Sequence, residues 1–274
     1  MASLRKTYKE QGYVYCPGFF PVEEIAALRA DAKDIFIRQM RAAGLVGSGP
    51  IAEREFEAAM ARFFQQDQAA FINCGKTSQH LISLHRLSLW YSLIEQISNL
   101  GLSQPVICTR PVLYFNCRTL ASQECYYKSP PHQDWRSMQG SLNALVVWVP
   151  LVDIDRALGT LEIIPGSHTA GLQPSVPDEW YRQIPDTRDA DYVAVPVKAG
   201  DALFFSAFLI HRSGDNVTDS IRWSCHFRYN DLAEPTFLAR KFPSPYTYKP
   251  QQELITQDFP SPALLRDAFA GTSD

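Results

Sequence analysis

The chain has 274 residues, of which 46% are hydrophobic and 20% are charged, the balance of an ordinary globular protein. Its formal net charge of -3 gives no reason to expect a polyanionic partner such as nucleic acid. The longest apolar runs have about the length of a strand, and the polar N-terminus lacks the apolar core of a signal peptide, so we expect neither a membrane span nor export. Six cysteines without CxxC spacing suit reduced thiols and predict a cytoplasmic protein.

The first part of the chain, to about residue 104, is predicted to be helical. Pro21 and the two glutamates that follow Val22 form a good helix start, and apolar residues continue at helical spacing as far as Gly44. A second amphipathic helix is predicted around Phe56 to Phe64, and a third over Leu81 to Leu100. We expect the apolar faces of these helices to pack against a core rather than to bind a cofactor.

The pattern changes to β after residue 104. Pro-Pro, Pro-Gly and Gly-Asp pairs separate short segments rich in Val, Ile, Phe, Tyr and Trp. These segments are Val106 to Cys117, Leu142 to Leu151, Thr160 to Ile164, Tyr192 to Val197, Ala202 to Ile210 and Ile221 to Tyr229. They predict a mainly β core over about residues 105–232, a sandwich or barrel with the N-terminal helices packed outside it. The tail, residues 233–274, is expected to wrap this core, so that residues 1–274 form one domain.

Two histidines and a carboxylate are the strongest candidates for chemistry. The tripeptide His132, Gln133 and Asp134 would place its first and third side chains on the same side of a strand. His211 ends the apolar run that begins at Ala202, so it would reach the same place from a distant strand. Two imidazoles and one carboxylate can occupy one face of an Fe(II) octahedron and leave three positions open. The tripeptide alone is weak evidence, but the combination predicts a metal site.

A basic residue follows this set at a spacing that fits two neighbouring strands. Arg222 lies 11 residues after His211, with a Gly-Asp-Asn turn between them. The spacing predicts two antiparallel strands, the first ending in the metal ligand and the second beginning with the guanidinium. Ser213 shares the face of His211 by the period of a strand. The planar fork of arginine matches a carboxylate and stays charged in a closed pocket, so this pair is a candidate site for a dicarboxylate.

Three stretches of the chain carry a family resemblance. They are Glu10 to Phe20 ahead of the predicted first helix, Gly159 to His168, and Ala199 through His211 to Arg222. With the residues above, and in this order, they resemble the phytanoyl-CoA dioxygenase family of Fe(II)- and 2-oxoglutarate-dependent oxygenases. The resemblance extends to about Asp231.

The resemblance implies a fold, a set of cofactors and a reaction. The fold is a double-stranded β-helix, or cupin-like jelly roll, with its site at one open end. The cofactors are Fe(II), 2-oxoglutarate and O2. The residues that the resemblance assigns are His132, Asp134 and His211 as iron ligands, Arg222 and Ser213 on 2-oxoglutarate, and Trp148 and Asn116 in the same pocket. Asp134 is present where related halogenases lack the carboxylate, so hydroxylation with release of succinate and CO2 is expected.

The expected substrate is a small polar metabolite or biosynthetic intermediate, because no cluster of basic residues marks a site for the phosphates of coenzyme A. The stretches Thr119 to Pro131 and Thr169 to Ala190 are expected to be loops over the mouth of the barrel. Candidate substrate contacts come from these loops, from the segment after Asp134 and from the face of the Arg222 strand. They are Tyr126, Tyr127, Lys128, Arg136, Trp180, Tyr181, Arg182, His226 and Arg228.

Two other classes of protein stay open at this point. A cupin-type isomerase or epimerase would use a similar barrel and a metal without 2-oxoglutarate, but Arg222 and Ser213 argue against it. A non-catalytic binding member of the fold would have no need for all four of His132, Asp134, His211 and Arg222. For each class the expected partner is a small molecule, not nucleic acid or a membrane, and the expected state is a monomer or a homodimer.

Overall fold

The structure, a computed structural model, describes residues 2–120, 128–177 and 182–243. Six helices precede the first long run of strands: α1 (Ala2–Gln11), α2 (Val22–Ala42), α3 (Glu53–Gln66), α4 (Gln68–Ser78), α5 (Ile82–Ser88) and α6 (Tyr91–Leu100). Two short helices follow later, α7 (Trp135–Met138) and α8 (Pro235–Ala239). No helix in these described ranges is long and apolar enough to cross a membrane.

The helix predictions are confirmed for α2 and α3 and corrected elsewhere. The segment predicted as one helix over Leu81 to Leu100 is two, because Trp90 adopts φ -57° and ψ 132° between α5 and α6. Helix α4 was not predicted, although Asp67 caps it by accepting a hydrogen bond from the Ala70 amide at 2.9 Å. Helix α1 was not predicted either. Among its residues, Leu4 and Tyr8 pack against the core, and two residues are too few to show the apolar spacing of a helix.

Eleven strands form three sheets in the described residues. They are β1 (Tyr13–Cys16), β2 (Pro105–Ile107), β3 (Val112–Asn116), β4 (Leu145–Pro150), β5 (Leu161–Ile163), β6 (Val176–Pro177), β7 (Arg182–Gln183), β8 (Val193–Val195), β9 (Ala202–Ser206), β10 (His211–Ser213) and β11 (Arg222–Asp231). The large sheet has the order β1-β9-β4-β11-β2, and β3 also pairs with β11. The small sheet has the order β10-β5-β8, and β6 pairs with β7 alone. All the pairings are antiparallel.

The large sheet separates two apolar clusters. One cluster joins the helices to the outer face of the sheet, where Phe36 of α2 lies with its ring centroid 5.2 Å from Phe115 and 6.4 Å from Trp223. The other cluster lies between the two sheets and includes Trp148 and Phe205. Because successive side chains of a strand point to opposite faces, each central strand contributes to both clusters.

The apolar run Ala202 to Ile210 is not a single strand. Strand β9 ends at Ser206, and a turn closed by a 2.8 Å hydrogen bond from the Leu209 amide to the Ser206 carbonyl leads into β10. His211 therefore begins a strand of the small sheet instead of ending a strand of the large one. The predicted pairing of the His211 strand with the Arg222 strand is also wrong, because β10 pairs with β5 while β11 pairs with β2, β3 and β4. A continuous apolar run does not show where a chain passes from one sheet to another.

Candidate metal centre and cosubstrate pocket

A cavity lies between the two sheets. Its lining comes from six strands of the two sheets and from the segment that precedes α7. The lining residues are Tyr114, Ser129, His132, Asp134, Val146, Trp148, Leu161, Phe205, His211, Ser213, Arg222, Ser224, His226 and Arg228. The position of this cavity between the sheets is the position at which a jelly roll binds its ligands.

The two histidines of the predicted metal set are brought together by their backbones. The His132 amide donates to the His211 carbonyl at 3.0 Å, and the His211 amide donates to the His132 carbonyl at 3.1 Å. This antiparallel bridge holds the imidazole centroids 4.2 Å apart. Residues that are 79 positions apart in the sequence are thus neighbours by a direct backbone pairing.

The carboxylate of the set reaches the histidines by a route that the sequence did not predict. Asp134 has helical angles (φ -63°, ψ -28°) at the start of α7, so the tripeptide is not a strand. The Asp134 Oδ1 atom lies 3.9 Å from His132 Nε2, and Oδ2 lies 3.9 Å from His211 Nε2. The prospective ligand atoms of the three residues all lie within 4.8 Å of one another.

Burial and hydrogen bonding fix the protonation of this set. His132 Nδ1 lies 2.7 Å from the Pro130 carbonyl and His211 Nδ1 lies 2.9 Å from the Leu209 carbonyl. Each Nδ1–H donates to its carbonyl, and each Nε2 is left with a lone pair that faces Asp134. Burial lowers the pKa of His132 to about 3 and also lowers the pKa of His211. Both imidazoles are therefore neutral near pH 7, the form that binds a metal ion.

Asp134 is ionised in the same surroundings. Burial alone would raise the pKa of its carboxyl group, but the Arg228 guanidinium and the neighbouring histidines lower the pKa below its usual range. Two neutral imidazoles and one carboxylate on one side of a cavity are the donor set that suits Fe(II) with open coordination positions. The residues present therefore fit the predicted iron.

Arg222 occupies the other end of the cavity and is 2% exposed. Its Nη2 atom donates to Ser213 Oγ at 3.3 Å, its Nη1 atom donates to the Gly159 carbonyl, and Ser213 Oγ lies 2.7 Å from Ser129 Oγ. Gly159 has φ +82°, and a Cβ atom there would lie 2.7 Å from the Gly214 carbonyl oxygen, so only glycine fits this contact. The predicted proximity of Arg222 and Ser213 is confirmed.

The other two residues predicted for the cosubstrate pocket have different positions. Trp148 lines the cavity and is 5% exposed. Asn116 is opposite Arg222 in the pairing of β3 with β11 and is buried, but it is not among the lining residues. Sequence reasoning missed Tyr114 and Ser129, which line the cavity beside Arg222. The period of β3 links Tyr114 to the face of Asn116 and is the signal that could have identified it.

The predicted substrate contacts divide into three groups. His226 and Arg228 line the cavity. Lys128, Arg136 and Arg182 do not line it: the Lys128 ammonium pairs with Asp215 at 2.6 Å, Arg136 donates to the Gln173 carbonyl at 2.8 Å, and Arg182 donates to Ser175. Tyr126, Tyr127, Trp180 and Tyr181 lie outside the described residues. Their predicted contacts remain predictions.

Gln133, between the two prospective ligands, is a further residue that the sequence did not single out. It is 5% exposed and its Nε2 atom donates to the Phe208 carbonyl at 2.6 Å and to the Gly171 carbonyl at 2.9 Å. Its Oε1 atom accepts from the Gln173 amide at 2.8 Å. The side chain thus ties the tripeptide to the turn before His211 and to the segment around residue 172.

Comparison with known proteins gives a consistent picture. The model of the family described as phytanoyl-CoA dioxygenase matches residues 8–224. The peroxisomal phytanoyl-CoA dioxygenase of Rattus norvegicus is 25% identical over 83% of this chain and 68% of that protein. The 1-deoxypentalenic acid 11-beta-hydroxylase of Streptomyces exfoliatus is 23% identical over 79% of this chain and 75% of that protein.

Solved structures share the fold. The epimerase SnoN in complex with Fe3+, alpha ketoglutarate and nogalamycin RO has a TM-score of 0.56 at 22% identity, over 94% of this chain and 96% of that chain. EctD from S. alaskensis in its apoform has a TM-score of 0.53 at 20% identity, over 85% of this chain and 78% of that chain. The predicted double-stranded β-helix with packed helices is confirmed by these likenesses.

The fold and the His-Asp-His group define a class, the non-haem Fe(II)- and 2-oxoglutarate-dependent dioxygenases. Within that class, the chain belongs to the phytanoyl-CoA dioxygenase family. It is accordingly an oxidoreductase that acts with iron and 2-oxoglutarate on a small molecule.

Proposed function

We propose that His132, Asp134 and His211 hold Fe(II), that Arg222 and Ser213 bind the distal carboxylate of 2-oxoglutarate, and that the enzyme hydroxylates a small organic substrate. The proposal is carried by the position of the Asp134 carboxylate: Oδ1 lies 3.9 Å from His132 Nε2, and Oδ2 lies 3.9 Å from His211 Nε2. The same cavity also contains the buried Arg222. A metal-dependent isomerase that works without 2-oxoglutarate has no use for a buried cation at the far end of the cavity.

Iron and 2-oxoglutarate, when bound, supply the oxidation of a C–H bond by O2 with release of succinate and CO2. The chain positions and shields these reactants. The carbonyls of Pro130 and Leu209 keep both Nε2 atoms turned toward Asp134. Arg222 can pair with the distal carboxylate in a site from which water is largely excluded, where such a pair is strong. Trp148 and Phe205 supply an apolar wall beside the prospective ligands.

The proposed substrate is a small organic molecule that shares the cavity with 2-oxoglutarate. Hydroxylation as the outcome is supported by similarity to the 1-deoxypentalenic acid 11-beta-hydroxylases. The cavity histidine His226 is neutral, since burial lowers its pKa well below the usual value, and it can donate or accept a hydrogen bond from a polar substrate group.

The remaining parts of the proposal concern the whole chain. A single domain is supported by the aromatic contacts of α2 with the large sheet. A reducing compartment such as the cytoplasm is supported by the free thiols of Cys16, Cys74, Cys108, Cys117 and Cys225. A monomer or homodimer stays the proposed state.

The test is anaerobic addition of Fe(II) and then 2-oxoglutarate to the metal-free protein while the visible spectrum is recorded. Chelation of octahedral Fe(II) by an oxoacid should give a weak charge-transfer band at ~500 nm. We expect the band in the wild type, no band in His211→Ala, and a band that needs more 2-oxoglutarate in Arg222→Ala.

The exposed Arg38→Ala variant serves as a matched control for loss of a guanidinium, and its band should equal that of the wild type. Absence of the band in folded wild-type protein would contradict the proposal and favour a metal-dependent isomerase or a binding protein. If the band forms, candidate substrates are then screened by O2-dependent release of succinate.

A further inference from the structure

Arg228 faces the cavity from the same strand as Arg222, and its side chain is 13% exposed. Its Nη2 atom donates to Asp134 Oδ1 at 2.9 Å, and the Asp134 side chain is 6% exposed. Arg228 follows Arg222 by six positions along β11, which corresponds to roughly 20 Å of strand. An even separation places both on one face, so one strand carries a guanidinium at each end of the cavity.

Each prospective ligand has a hydrogen-bond partner that orients it. The two imidazoles are held by backbone carbonyls, those of Pro130 and Leu209. Asp134 begins the four-residue helix α7, and its side chain makes no capping hydrogen bond to the backbone there. The orienting contact of its carboxylate comes instead from Arg228, across the cavity wall.

The contact with Arg228 is made by one carboxylate oxygen. Oδ1 accepts from the guanidinium, while Oδ2 lies on the side of His211. Arg228 is itself held in register by the backbone pairing of β11 with β4, where it is opposite Val146. A rigid sheet therefore sets the rotation of the Asp134 carboxylate.

From this geometry we infer that Arg228 is a positioning residue for the metal ligand Asp134 rather than a substrate-binding residue. The inference rests on the proposed iron site. It also gives β11 two tasks, because the strand that carries the proposed anchor for 2-oxoglutarate also orients a ligand of the metal.

Two effects of Arg228 on metal affinity oppose each other. Its positive charge repels a divalent cation, whereas its hydrogen bond keeps the carboxylate turned toward the cation. If positioning dominates, removal of the guanidinium weakens metal binding about 10–100-fold, the usual effect of losing a partner that orients a ligand. If charge dominates, removal strengthens binding.

The experiment is a titration of the metal-free protein with Co(II), followed through the ligand-field bands of the bound metal, so that no turnover is needed. The variants are Arg228→Gln, Arg228→Lys and, as matched control, Arg222→Gln. The control removes a guanidinium from the same strand and the same cavity but leaves the Arg228–Asp134 contact in place. Circular dichroism and thermal melting establish that each variant is folded.

We expect Arg228→Gln to bind Co(II) about 10–100-fold more weakly with altered band intensities, Arg228→Lys to be intermediate, and Arg222→Gln to match the wild type within about threefold. Equal or tighter binding by folded Arg228→Gln overturns the inference. If Arg228→Gln does not fold, the decision passes to Arg228→Lys, for which unchanged affinity and bands overturn it.

Failure of the proposed function gives a different result. Wild-type protein that binds no Co(II) contradicts the iron site itself. A second outcome is that the wild type binds Co(II), His211→Ala does not, and Arg228→Gln binds Co(II) as tightly as the wild type. That outcome supports the iron site and rejects only the positioning role of Arg228.

Discussion

The two faces of β11 differ in polarity and in charge. Alternate residues that point to the helices are apolar and at most 2% exposed: Trp223, Cys225, Phe227 and Tyr229. The residues between them point into the cavity and are polar or charged: Arg222, Ser224, His226 and Arg228. One strand thus joins the tightly packed core to the candidate active site, and the period of two keeps the two functions apart.

This difference shows where stability and chemistry are located. The helix-facing side resembles the interior of any globular protein, with aromatic rings in edge-to-face contact. The cavity that the other side faces encloses two guanidinium groups, three imidazoles and a carboxylate, contributed by β11 and by the segments opposite it. Such an arrangement costs stability unless a ligand or a paired charge compensates it. Substitutions on the first face should change the free energy of unfolding, and substitutions on the second should change binding.

The largest expected effect lies on the helix-facing side. Phe36→Ala removes a fully buried ring whose centroid lies 5.2 Å from those of Phe71 and Phe115. The free energy of unfolding should fall by about 3–5 kcal/mol, since lost transfer energy adds to the cost of the cavity left behind. Urea denaturation measures the fall, and the Co(II) affinity of the remaining folded protein should equal that of the wild type.

A matched control for Phe36→Ala is Tyr91→Ala, which removes an aromatic ring that is 81% exposed. Its effect on unfolding should be within about 0.5 kcal/mol. A strong loss of metal affinity in Phe36→Ala would mean that the two faces of the sheet are not independent.

The next effect belongs to the cavity side. Arg222→Gln should weaken the binding of 2-oxoglutarate about 100-fold, because the distal carboxylate loses its buried charged partner. Pyruvate carries the same oxoacid group without a distal carboxylate, so its affinity should change little. The two dissociation constants are measured by titration of the Fe(II)-loaded protein without O2. An equal loss for both oxoacids would show that Arg222 acts on the metal end of the site.

Much of the fold and of the candidate site could be predicted because the sequence shows both the spacing of apolar residues in a helix and the alternation of residues in a strand. Helices α2 and α3 show apolar residues at helical spacing, and the alternation along β11 predicts that Arg222, His226 and Arg228 share a face. Their common lining of one cavity confirms that prediction. The order of the motifs along the chain identified the family and therefore the fold.

What the sequence did not show depends on contacts between distant segments. The backbone pairing of His132 with His211 and the change of sheet after Ser206 leave no mark on local periodicity. The helical start at Asp134 was hidden because a histidine and an aspartate two apart suit a strand equally well. The ion pair of Arg228 with Asp134 requires the fold to be known, so the sequence alone indicated Arg228 only as a candidate substrate contact.

A smaller effect is expected for Gln133, which lies on the cavity side without lining the cavity. In Gln133→Ala the carbonyls of Phe208 and Gly171 lose their donor and the Gln173 amide loses its acceptor. Unfolding should become easier by about 1–3 kcal/mol, the cost of unsatisfied buried groups. Because the side chain ties the two ligand-bearing segments together, Co(II) binding should weaken in parallel. The exposed Gln39→Ala variant is the control, and a stability loss without any loss of Co(II) affinity would assign Gln133 to packing alone.

The smallest effect is a dependence of stability on pH that originates in the cavity. Burial, followed by the charge of Arg228, lowers the pKa of His226 well below its usual value, so the folded metal-free protein keeps this imidazole neutral. In the unfolded chain the same imidazole takes up a proton below about pH 6.5. The unfolded state then binds more protons, so the free energy of unfolding rises with pH, and the contribution of His226 is present above pH ~6.5 and lost as the pH falls below it. Urea denaturation of the metal-free protein measures the free energy of unfolding at each pH. Between pH ~7.5 and pH ~5.5 this free energy should fall by about 1 kcal/mol more in the wild type than in His226→Gln. Parallel curves for the two proteins would mean that His226 is protonated in the folded state, and that the cavity side of β11 tolerates one more positive charge than its two arginines already supply.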